Sequence, residues 1–297
     1  MRILVLGGTR FIGHAVVEAA LRNGHDVTLF NRGSDRTLFP QVARLIGDRN
    51  RPGDAARIGG QRWDAVVDIS GYRPAQLRPV LDALGQDAPH YVFISTVSVY
   101  ADGIGPGADE TAPLLRVDES ISGTDPHAYG GLKVLCEQEL RSRIEGSLTV
   151  IRPTVVIGPR DYTDRFGWWV RRIAEGRVPA PPRPAQPVQL IDVQDLAAFV
   201  VRCIEHRIVG TYNAVAPREP LTLRGMIDAV VAALDMEQRL TLMDTGETQL
   251  PLVIADPAND GAFQVSGEAA YRQGLSLTPI EDTARAVLRA EPRRSSA

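Results

Sequence analysis

The chain has 297 residues, of which 44% are hydrophobic and 23% charged, and its net charge at pH 7 is −3. This composition is that of an ordinary globular protein, and it gives no basic surface for nucleic acid or anionic lipid. Because Met1 leads directly into an apolar strand and no apolar run is long enough to cross a bilayer, we expect a cytoplasmic protein without a membrane partner.

Apolar strands alternate with amphipathic helices along the first half of the chain. The predicted strands are RILVLG, HDVTLFN, WDAVVDIS, HYVFISTVSVY and SLTVIRP, and the predicted helices are FIGHAVVEAALRNG, QVARLIG, PAQLRPVLDALG and the segment 129–143. Such alternation forms right-handed βαβ units around a parallel sheet that is covered on both faces. The sequence therefore predicts an α/β fold with a doubly wound parallel sheet.

The pattern loosens in the second half. GPRDYTDRFGWW and RVPAPPRPAQPVQ are rich in Pro, Gly, Arg and Trp, which is typical of loops in a small lobe. Further predicted elements are a strand and helix in VQLIDVQDLAAFVVRCIE, a strand in GTYNAVAP, and helices in PLTLRGMIDAVVAAL, which Thr222 caps, and in PIEDTARAVLRA. We therefore predict a Rossmann domain of residues 1–158 and 188–216. A smaller, discontinuous C-terminal substrate lobe comprises residues 159–187 and 217–290.

The cysteine and histidine patterns favour neither a disulfide framework nor a metal centre. Cys136 and Cys203 lie in predicted helices without a CxxC partner, so we expect two buried thiols. The five histidines show no ligand spacing, and we expect no metal.

A glycine-rich turn, LGGTRFIG, joins the first strand to the first helix. A strand, glycines and then a helix direct backbone N–H groups and a helix N-terminus at a pyrophosphate. Gly7 and Gly8 allow the tight turn, and Gly13 lets the helix pack closely on the sheet. Arg10 stands where a further glycine is expected. The alternative interpretation is an ordinary turn between a strand and a helix.

The tip of the second strand decides which dinucleotide binds. An acidic residue there binds the ribose 2′-hydroxyl of NAD(H), whereas arginine suits the 2′-phosphate of NADP(H). The chain reads LFNRGSDR, with Asn31 and Arg32 and no acid at the tip, and Arg10 lies on the same side. We therefore predict NADP(H) as the preferred cofactor, with NAD(H) still possible. The alternative is that these residues are surface arginines in an arginine-rich chain.

Lys133 is the one lysine among 33 basic residues, the other 32 being arginine. It follows Tyr129 by four residues, which places both on one face of a helix. A phenol with a pKa of about 10 is a poor acid–base catalyst at neutral pH, and a neighbouring ammonium lowers that pKa. The sequence therefore predicts a Tyr129–Lys133 pair in which the amine activates the phenol.

Hydroxyl residues end the strand in FISTVSVYAD. The carboxyl end of a parallel strand is where ligands bind in doubly wound folds, so a hydroxyl there can bind a carbonyl or alcohol oxygen. The alternative interpretation is that Thr and Ser occur there for their β-propensity.

In this order, these elements resemble the extended and atypical branch of the short-chain dehydrogenase/reductase superfamily, an NAD-dependent epimerase/dehydratase-like family, in its GGxxxxG variant. DISGY resembles the fourth-strand segment that lines the cofactor, STVSVY the catalytic serine or threonine segment, and RPTVVIGP the segment at the nicotinamide. LIDVQDLA resembles a later strand of the family. The resemblance implies that Thr96 orients the substrate oxygen, Tyr129 is the general acid/base, and Lys133 binds the nicotinamide ribose.

Motifs and resemblance together predict a set of contacts. Cofactor contacts are predicted for Gly7, Gly8, Thr9, Arg10, Phe11, Ile12, Gly13, Asn31, Arg32, Asp48, Ile69, Ser70, Gly71, Ser95, Lys133, Pro153, Thr154, Val155 and Val156. Substrate contacts are predicted for Tyr72, Ser98, Arg165 and Trp168, the last with packing in the lobe core as its alternative.

One departure from the family bears on the substrate. Many nucleotide-sugar enzymes of this branch carry an arginine just before the later strand, where this chain has Val188 or Gln189. We therefore expect an NADP(H)-dependent ketoreductase acting on a small-molecule or natural-product carbonyl, as a monomer or homodimer. The alternatives are a nucleotide-sugar epimerase or dehydratase with bound NAD(P), and a non-catalytic nucleotide-sensing or RNA-binding relative.

Overall fold

A computed structural model describes residues 1–51, 53–85, 89–236, 241–243 and 250–290. Its strands are β1 (Arg2–Leu6), β2 (Asp26–Asn31), β3 (Ala43–Ile46), β4 (Ala65–Asp68), β5 (His90–Ile94), β6 (Leu148–Pro153), β7 (Val155–Ile157), β8 (Arg177–Pro179), β9 (Pro187–Asp192), β10 (Gly210–Ala214), β11 (Ala216–Thr222) and β12 (Thr241–Met243). Its helices are α1 (Phe11–Arg22), α2 (Pro74–Leu84), α3 (Ala128–Arg143), α4 (Arg165–Ala174), α5 (Val193–Glu205), α6 (Leu223–Ala233), α7 (Glu268–Arg272) and α8 (Ile280–Ala290).

Seven strands form a parallel sheet in the order β10-β6-β5-β4-β1-β2-β3. The chain runs outward from β1 through β2 to β3 and then returns to the other side of β1 with β4. Ligands bind in doubly wound folds outside the carboxyl ends of the strands at such a reversal. The predicted Rossmann sheet is confirmed, and its crevice lies between β1 and β4.

The central strands are buried on both faces because helices cover each side. In β1, Ile3 and Val5 belong to an apolar core shared with α1 and α5. Leu4 and Leu6 point the other way, into a core shared with α2 and α3. This period-two alternation between two apolar faces is what a strand in a doubly covered parallel sheet requires.

A third core lies in the second lobe and gathers α4, α6 and α8 beside a three-stranded sheet of order β11-β9-β7. We call this core of the second lobe the second core, and the core shared with α1 and α5 the first core. Trp169 and Met226 are fully buried in the second core. Strand β9 contributes Leu190 to this second core and Ile191 to the first. Helix α7 belongs by sequence to the expected substrate lobe but buries Tyr271 in the first core. The domain bounds stay a prediction.

Two local predictions were wrong. QVARLIG, predicted as a helix, contains the short strand β3, which pairs with the edge of β2. The segment GPRDYTDRFGWW was predicted as loop, but α4 begins in it. Side chains at Phe166, Trp169, Val170 and Ile173 are buried there at helical spacing, so their shared burial outweighs the loop-like composition.

The structure also describes the two cysteines and the start of α6. Cys136 and Cys203 are buried and unpaired, as predicted. The Thr222 hydroxyl caps α6 by accepting a hydrogen bond from the backbone N–H of Gly225 at 3.0 Å. Within the described ranges, no helix combines the length and apolar character needed to cross a bilayer. Those same residues contain no cluster of three or more acidic, histidine or cysteine side chains suited to a metal ion.

Candidate active site

A cleft of about 1250 Å³ lies along the carboxyl edge of the seven-stranded sheet. Its floor comes from residues that follow β1, β4, β5 and β6, and one wall comes from the second lobe between residues 252 and 263. Pockets for one small molecule usually measure roughly 300–1,000 Å³. The cleft is therefore large enough for a dinucleotide together with a second small molecule.

The predicted site residues converge on this cleft. All of them line it except Gly71 and Trp168. Gly71 lies just beneath, where its carbonyl oxygen accepts a hydrogen bond from Lys133. Trp168 instead packs against the second core, with the Arg172 guanidinium 5.2 Å from its ring centroid. The binding roles of these residues stay predictions.

The glycine loop has backbone geometry that excludes side chains. Gly7 and Gly8 have φ angles of +112° and +88°, which L residues rarely adopt. A Cβ on Gly13 would lie 2.9 Å from the Cα and N of Gly8, so the helix and the loop touch backbone to backbone. Arg10, at the N-cap of α1, makes no capping side-chain bond. The cradle therefore suits an anion at the N-terminus of α1.

Asn31 at the tip of β2 is held in place by the glycine loop. Its Nδ2 donates to the Gly7 carbonyl at 3.0 Å, and its Oδ1 accepts from the Gly33 N–H at 2.9 Å. Hydrogen bonds from Asn50, and less strongly the charge of Arg32, lower the pKa of the nearby Asp48 carboxyl. Arg10 lies further along the cleft. Burial raises the pKa of the Tyr72 phenol there, and the positive charge of Arg10 partly offsets this rise.

Lys133 lies beneath the catalytic end of the cleft and is only 2% exposed. Its Nζ donates to the carbonyl oxygens of Gly71 and Ile94, each at 2.8 Å. The rings of Phe93 and Tyr72 lie 4.5 and 4.9 Å from Nζ. Burial lowers the pKa of Lys133 to about 8, against the opposing attraction of the Asp68 carboxylate. The amine is thus fixed in an orientation set by backbone acceptors and aromatic faces.

Tyr129 stands one turn before Lys133 on α3, as the spacing predicts, with half of its surface exposed to the cleft. Burial, with a smaller contribution from Tyr72, raises the pKa of its phenol to about 12, although a hydrogen bond with Thr96 and the charge of Arg165 act in the opposite direction. The predicted lowering of this pKa was wrong, because desolvation outweighs the stabilising groups.

The hydroxyls after β5 have distinct partners. Thr96 Oγ1 accepts from the Ser98 N–H and donates to Ser98 Oγ, both at 3.1 Å. Ser95 Oγ donates to the buried carboxylate of Glu137 at 2.6 Å. Thr96 is therefore the hydroxyl of this group that interacts with the Tyr129 phenol.

The family model described as the NAD dependent epimerase/dehydratase family matches residues 3–216. The chain belongs to this family. The predicted resemblance is confirmed, and the protein is an NAD(P)-dependent enzyme of the short-chain dehydrogenase/reductase type.

The named relatives include a stem-loop binding protein and a reductase. The chain is 31% identical over 242 residues to the chloroplast stem-loop binding protein of 41 kDa b of Arabidopsis thaliana, an alignment that covers 75% of this chain but 58% of that protein. It is 26% identical over 260 residues to the 2-alkyl-3-oxoalkanoate reductase of Stenotrophomonas maltophilia, covering 79% of this chain and 76% of that one.

Several solved structures share the fold. A UDP-glucose 4-epimerase from Thermotoga maritima, solved with UDP-glucose, matches with a TM-score of 0.73 at 17% identity over 98% of both chains. The enzyme WbmH of Bordetella bronchiseptica, solved with NAD⁺, matches with a TM-score of 0.72 at 18% identity over 97% of both chains.

Several cleft residues of this family member carried no sequence signal. The loop before α4 adds Tyr162 and Asp161, and one Asp161 carboxylate oxygen is buried without a hydrogen-bond partner among the described residues. His127 lies 3.3 Å from Asp102 at the rim. Residues 252–263 reach the cleft because of the way the second lobe folds, and no local sequence motif predicts this contact.

Proposed function

We propose that the protein is an NADP(H)-dependent ketoreductase that reduces a small-molecule carbonyl, with Tyr129 as the proton donor. The observation that carries the proposal is one continuous cleft. It has a glycine cradle at the N-terminus of α1 at one end and Thr96, Tyr129 and Lys133 at the other. This arrangement suits a dinucleotide whose nicotinamide lies beside a carbonyl substrate.

The residues present fit the cofactor. The N–H groups of the glycine loop and the first turn of α1 would hold the pyrophosphate. Lys133 and the segment 153–156 would hold the nicotinamide half. When bound, NADPH supplies the hydride. Thr96 then orients the carbonyl oxygen, and the neighbouring phenol delivers the proton.

The protonation state of Tyr129 favours the reductive direction. With a pKa of about 12, the phenol retains its proton at neutral pH. A neutral phenol can donate that proton to the oxygen that gains negative charge as a carbonyl is reduced. Alcohol oxidation would instead need the phenolate, which this environment disfavours.

The preference for NADP(H) is argued from the tip of β2. Arg32 is exposed at the cleft, and β2 itself ends without an acidic residue, although Asp48 lies close enough for the charge of Arg32 to act on it. The side chain of Asn31 is already engaged with Gly7 and Gly33. Arg32 is thus the cation placed for a 2′-phosphate, with Arg10 nearer the catalytic end.

The second candidate is a nucleotide-sugar epimerase or dehydratase, which family membership favours. The substrate side argues against it. Val188 is buried in the second core. Gln189 holds the backbone of Val265, donating to its carbonyl at 2.8 Å and accepting from its N–H at 3.2 Å. Neither residue offers a cation for a diphosphate. The named 2-alkyl-3-oxoalkanoate reductase relative also favours a reductase.

The test is NADPH oxidation by the purified protein with a panel of ketones. We expect net consumption of NADPH. Tyr129→Phe should lose about 10²-fold or more of the turnover while still binding NADPH, since general acid catalysis typically contributes about 10²–10⁴-fold. Isomerised nucleotide sugars without net consumption would favour the epimerase. Full biological activity of Tyr129→Phe would favour a non-catalytic sensor or RNA-binding protein.

Cofactor choice is tested with Arg32→Ala. Loss of a charge-assisted contact of about 1.5–3 kcal/mol should weaken NADPH binding roughly tenfold to hundredfold and leave NADH binding nearly unchanged. Arg177→Ala, an exposed arginine outside the cleft, is the matched control. Equal losses for both dinucleotides would refute the NADP(H) assignment.

A further inference from the structure

The side of the cleft formed by the second lobe is an apolar wall. It is made by Leu252, Val253, Ile254, Ala258, Ala262 and Phe263, with Asn259 as a polar neighbour. Ile254 is buried, whereas Val253 and Phe263 keep part of their surface exposed to the cleft. A wall of this composition binds hydrocarbon and offers few hydrogen bonds to a sugar.

Two polar side chains behind the wall hold its backbone. Gln186, which is 2% exposed, donates to the Leu252 carbonyl at 2.8 Å and accepts from the Ile254 N–H at 3.0 Å. Arg183 donates to the Ile254 carbonyl at 2.9 Å and pairs with Asp260 at 2.7 Å. The backbone polar groups of the wall are thus engaged from behind, and the apolar side chains are what the wall presents to a ligand.

The wall also carries no positive charge. Residues 250–263 contain no lysine, arginine or histidine, but they do contain Asp256 and Asp260. Asp260 is paired with Arg183 behind the wall, so a diphosphate placed here would meet mainly apolar side chains, which is unfavourable for a dianion. The occupant of this wall is therefore uncharged and apolar.

A cation lines the cleft close enough to Tyr129 to act on its phenol. Arg165, the first residue of α4, lines the cleft, and its charge acts on the Tyr129 phenol. Its Nε donates to Thr163 Oγ1 at 3.3 Å. No carboxylate lies within ion-pair distance of Arg165 among the described residues, whereas Arg183 behind the wall is paired with Asp260. A planar guanidinium that lines the cleft and has no carboxylate partner in the described part of the chain is suited to bind a carboxylate of the substrate.

We infer that the substrate is a keto acid with an apolar chain, whose carboxylate binds Arg165 and whose chain lies along the wall of residues 252–263. The inference rests on the proposed function. In the reaction, NADPH gives a hydride to the carbonyl carbon and the phenol of Tyr129 gives a proton to its oxygen. The products are a hydroxy acid and NADP⁺, and Tyr129 regains its proton from water.

The experiment compares three ketones by NADPH oxidation: a long-chain oxo acid such as 5-oxodecanoate, its methyl ester, and the short acid 5-oxohexanoate. The corresponding 3-oxo acids and ester are tested as well, because they place the carbonyl group closer to the carboxylate. We expect the kcat/KM of the long acid to exceed that of each other compound by about tenfold or more, since a charge pair or several methylenes each give at least this discrimination.

Two variants assign the preference to residues. Arg165→Gln should lower kcat/KM for the long acid by about tenfold or more beyond any loss for the ester, since a change at the Tyr129 phenol would affect both ketones equally. Val253→Thr places a hydroxyl in the wall at nearly constant shape. It should lower kcat/KM for the long acid and spare 5-oxohexanoate. Arg177→Gln and Val209→Thr, both exposed and outside the cleft, are the matched controls.

The outcomes separate this inference from the proposed function. Equal rates for the long acid and its ester, or equal losses for both in Arg165→Gln, would overturn the keto-acid assignment and leave the ketoreductase intact. An absence of NADPH oxidation with every ketone, in protein that still binds NADPH, would overturn both.

Discussion

Lys133 shows why a single amine occurs in a chain that otherwise uses arginine. Its Nζ lies between two backbone carbonyl oxygens and the faces of Phe93 and Tyr72. A compact ammonium can fill this position, whereas a planar guanidinium presents five donors in a wide fork. Because the ammonium is buried away from water, its pKa is lowered to about 8, and the positive charge of Lys133 therefore depends on pH near neutrality.

This dependence predicts how the activity changes with pH. A lowered pKa means that Lys133 is charged below about pH 8 and neutral above it. Tyr129, with a pKa of about 12, stays protonated throughout this range. We therefore expect kcat/KM for ketone reduction to fall as the pH rises through about 8, in a profile measured between about pH 6 and pH 10.

Lys133→Arg is the matched variant for that profile. Arginine keeps its charge at every pH tested, so the decline near pH 8 should be absent. The remaining activity should be low, because the fork does not fit between the two carbonyls. A wild-type profile that stays level to about pH 10 would contradict the assignment of the decline to Lys133.

At the scale of elements, the close contact between α1 and the glycine loop limits substitution. Alanine in place of glycine inside a helix usually stabilises it by about 1 kcal/mol. In Gly13→Ala, however, the new methyl group would lie 2.9 Å from the backbone of Gly8. We expect the loop to shift and NADPH binding, measured by titration, to weaken by about tenfold or more. Gly123→Ala, where a Cβ meets nothing within 4 Å, should bind like the wild type.

Helix α3 is tied to β6 by a buried ion pair. Glu137 and Arg152 are 1% and 2% exposed, and they meet at 2.6 Å and 3.0 Å. The same carboxylate accepts a hydrogen bond from Ser95, the neighbour of Thr96 in the chain. The pair therefore fixes the end of β5 relative to the helix that carries Tyr129.

Breaking this pair should be costly. Glu137→Leu leaves the buried Arg152 charge without its carboxylate, and we expect it to lower the free energy of unfolding by about 3–5 kcal/mol in urea titrations. Arg152→Met should cost less, because Arg141 remains 3.6 Å from the Glu137 carboxylate. The double variant should recover part of that loss. The exposed pair Arg224–Asp228 is the control, with an expected effect below about 1 kcal/mol. Additive losses in the double variant would show that the two charges do not interact.

The elements that the sequence predicted correctly are those with local signals. The glycine turn and the four-residue spacing on α3 are short-range patterns, so the loop and the Tyr129–Lys133 pair were predictable. Helix α4 was missed because its Pro- and Gly-rich surroundings obscured four buried positions. The Tyr129 pKa could not be predicted, since desolvation depends on walls contributed by distant segments.

At the scale of the whole molecule, the cleft lies where two cores meet. The core shared by β1 and α1 supports the glycine loop, and the core of the second lobe supports the wall of residues 252–263. Helix α3, with Tyr129 and Lys133, packs in a separate core on the other face of the sheet. Strand β9 joins the first and second cores by giving adjacent side chains to each. No sequence pattern predicts this wall, because its contacts with Gln186 and Arg183 span about 70 residues of chain.

This arrangement predicts that the two ligands protect different segments from hydrogen exchange. NADPH alone should slow exchange in residues 7–13, because it would contact the cradle on the first core. Residues 252–263 should slow strongly only when a long-chain hydroxy acid, the expected product, is added with NADP⁺. Helix α6, which lies outside the cleft, serves as the internal control. Strong protection of 252–263 by the dinucleotide alone would mean that the wall binds cofactor. The apolar chain of the substrate would then have to lie elsewhere in the cleft.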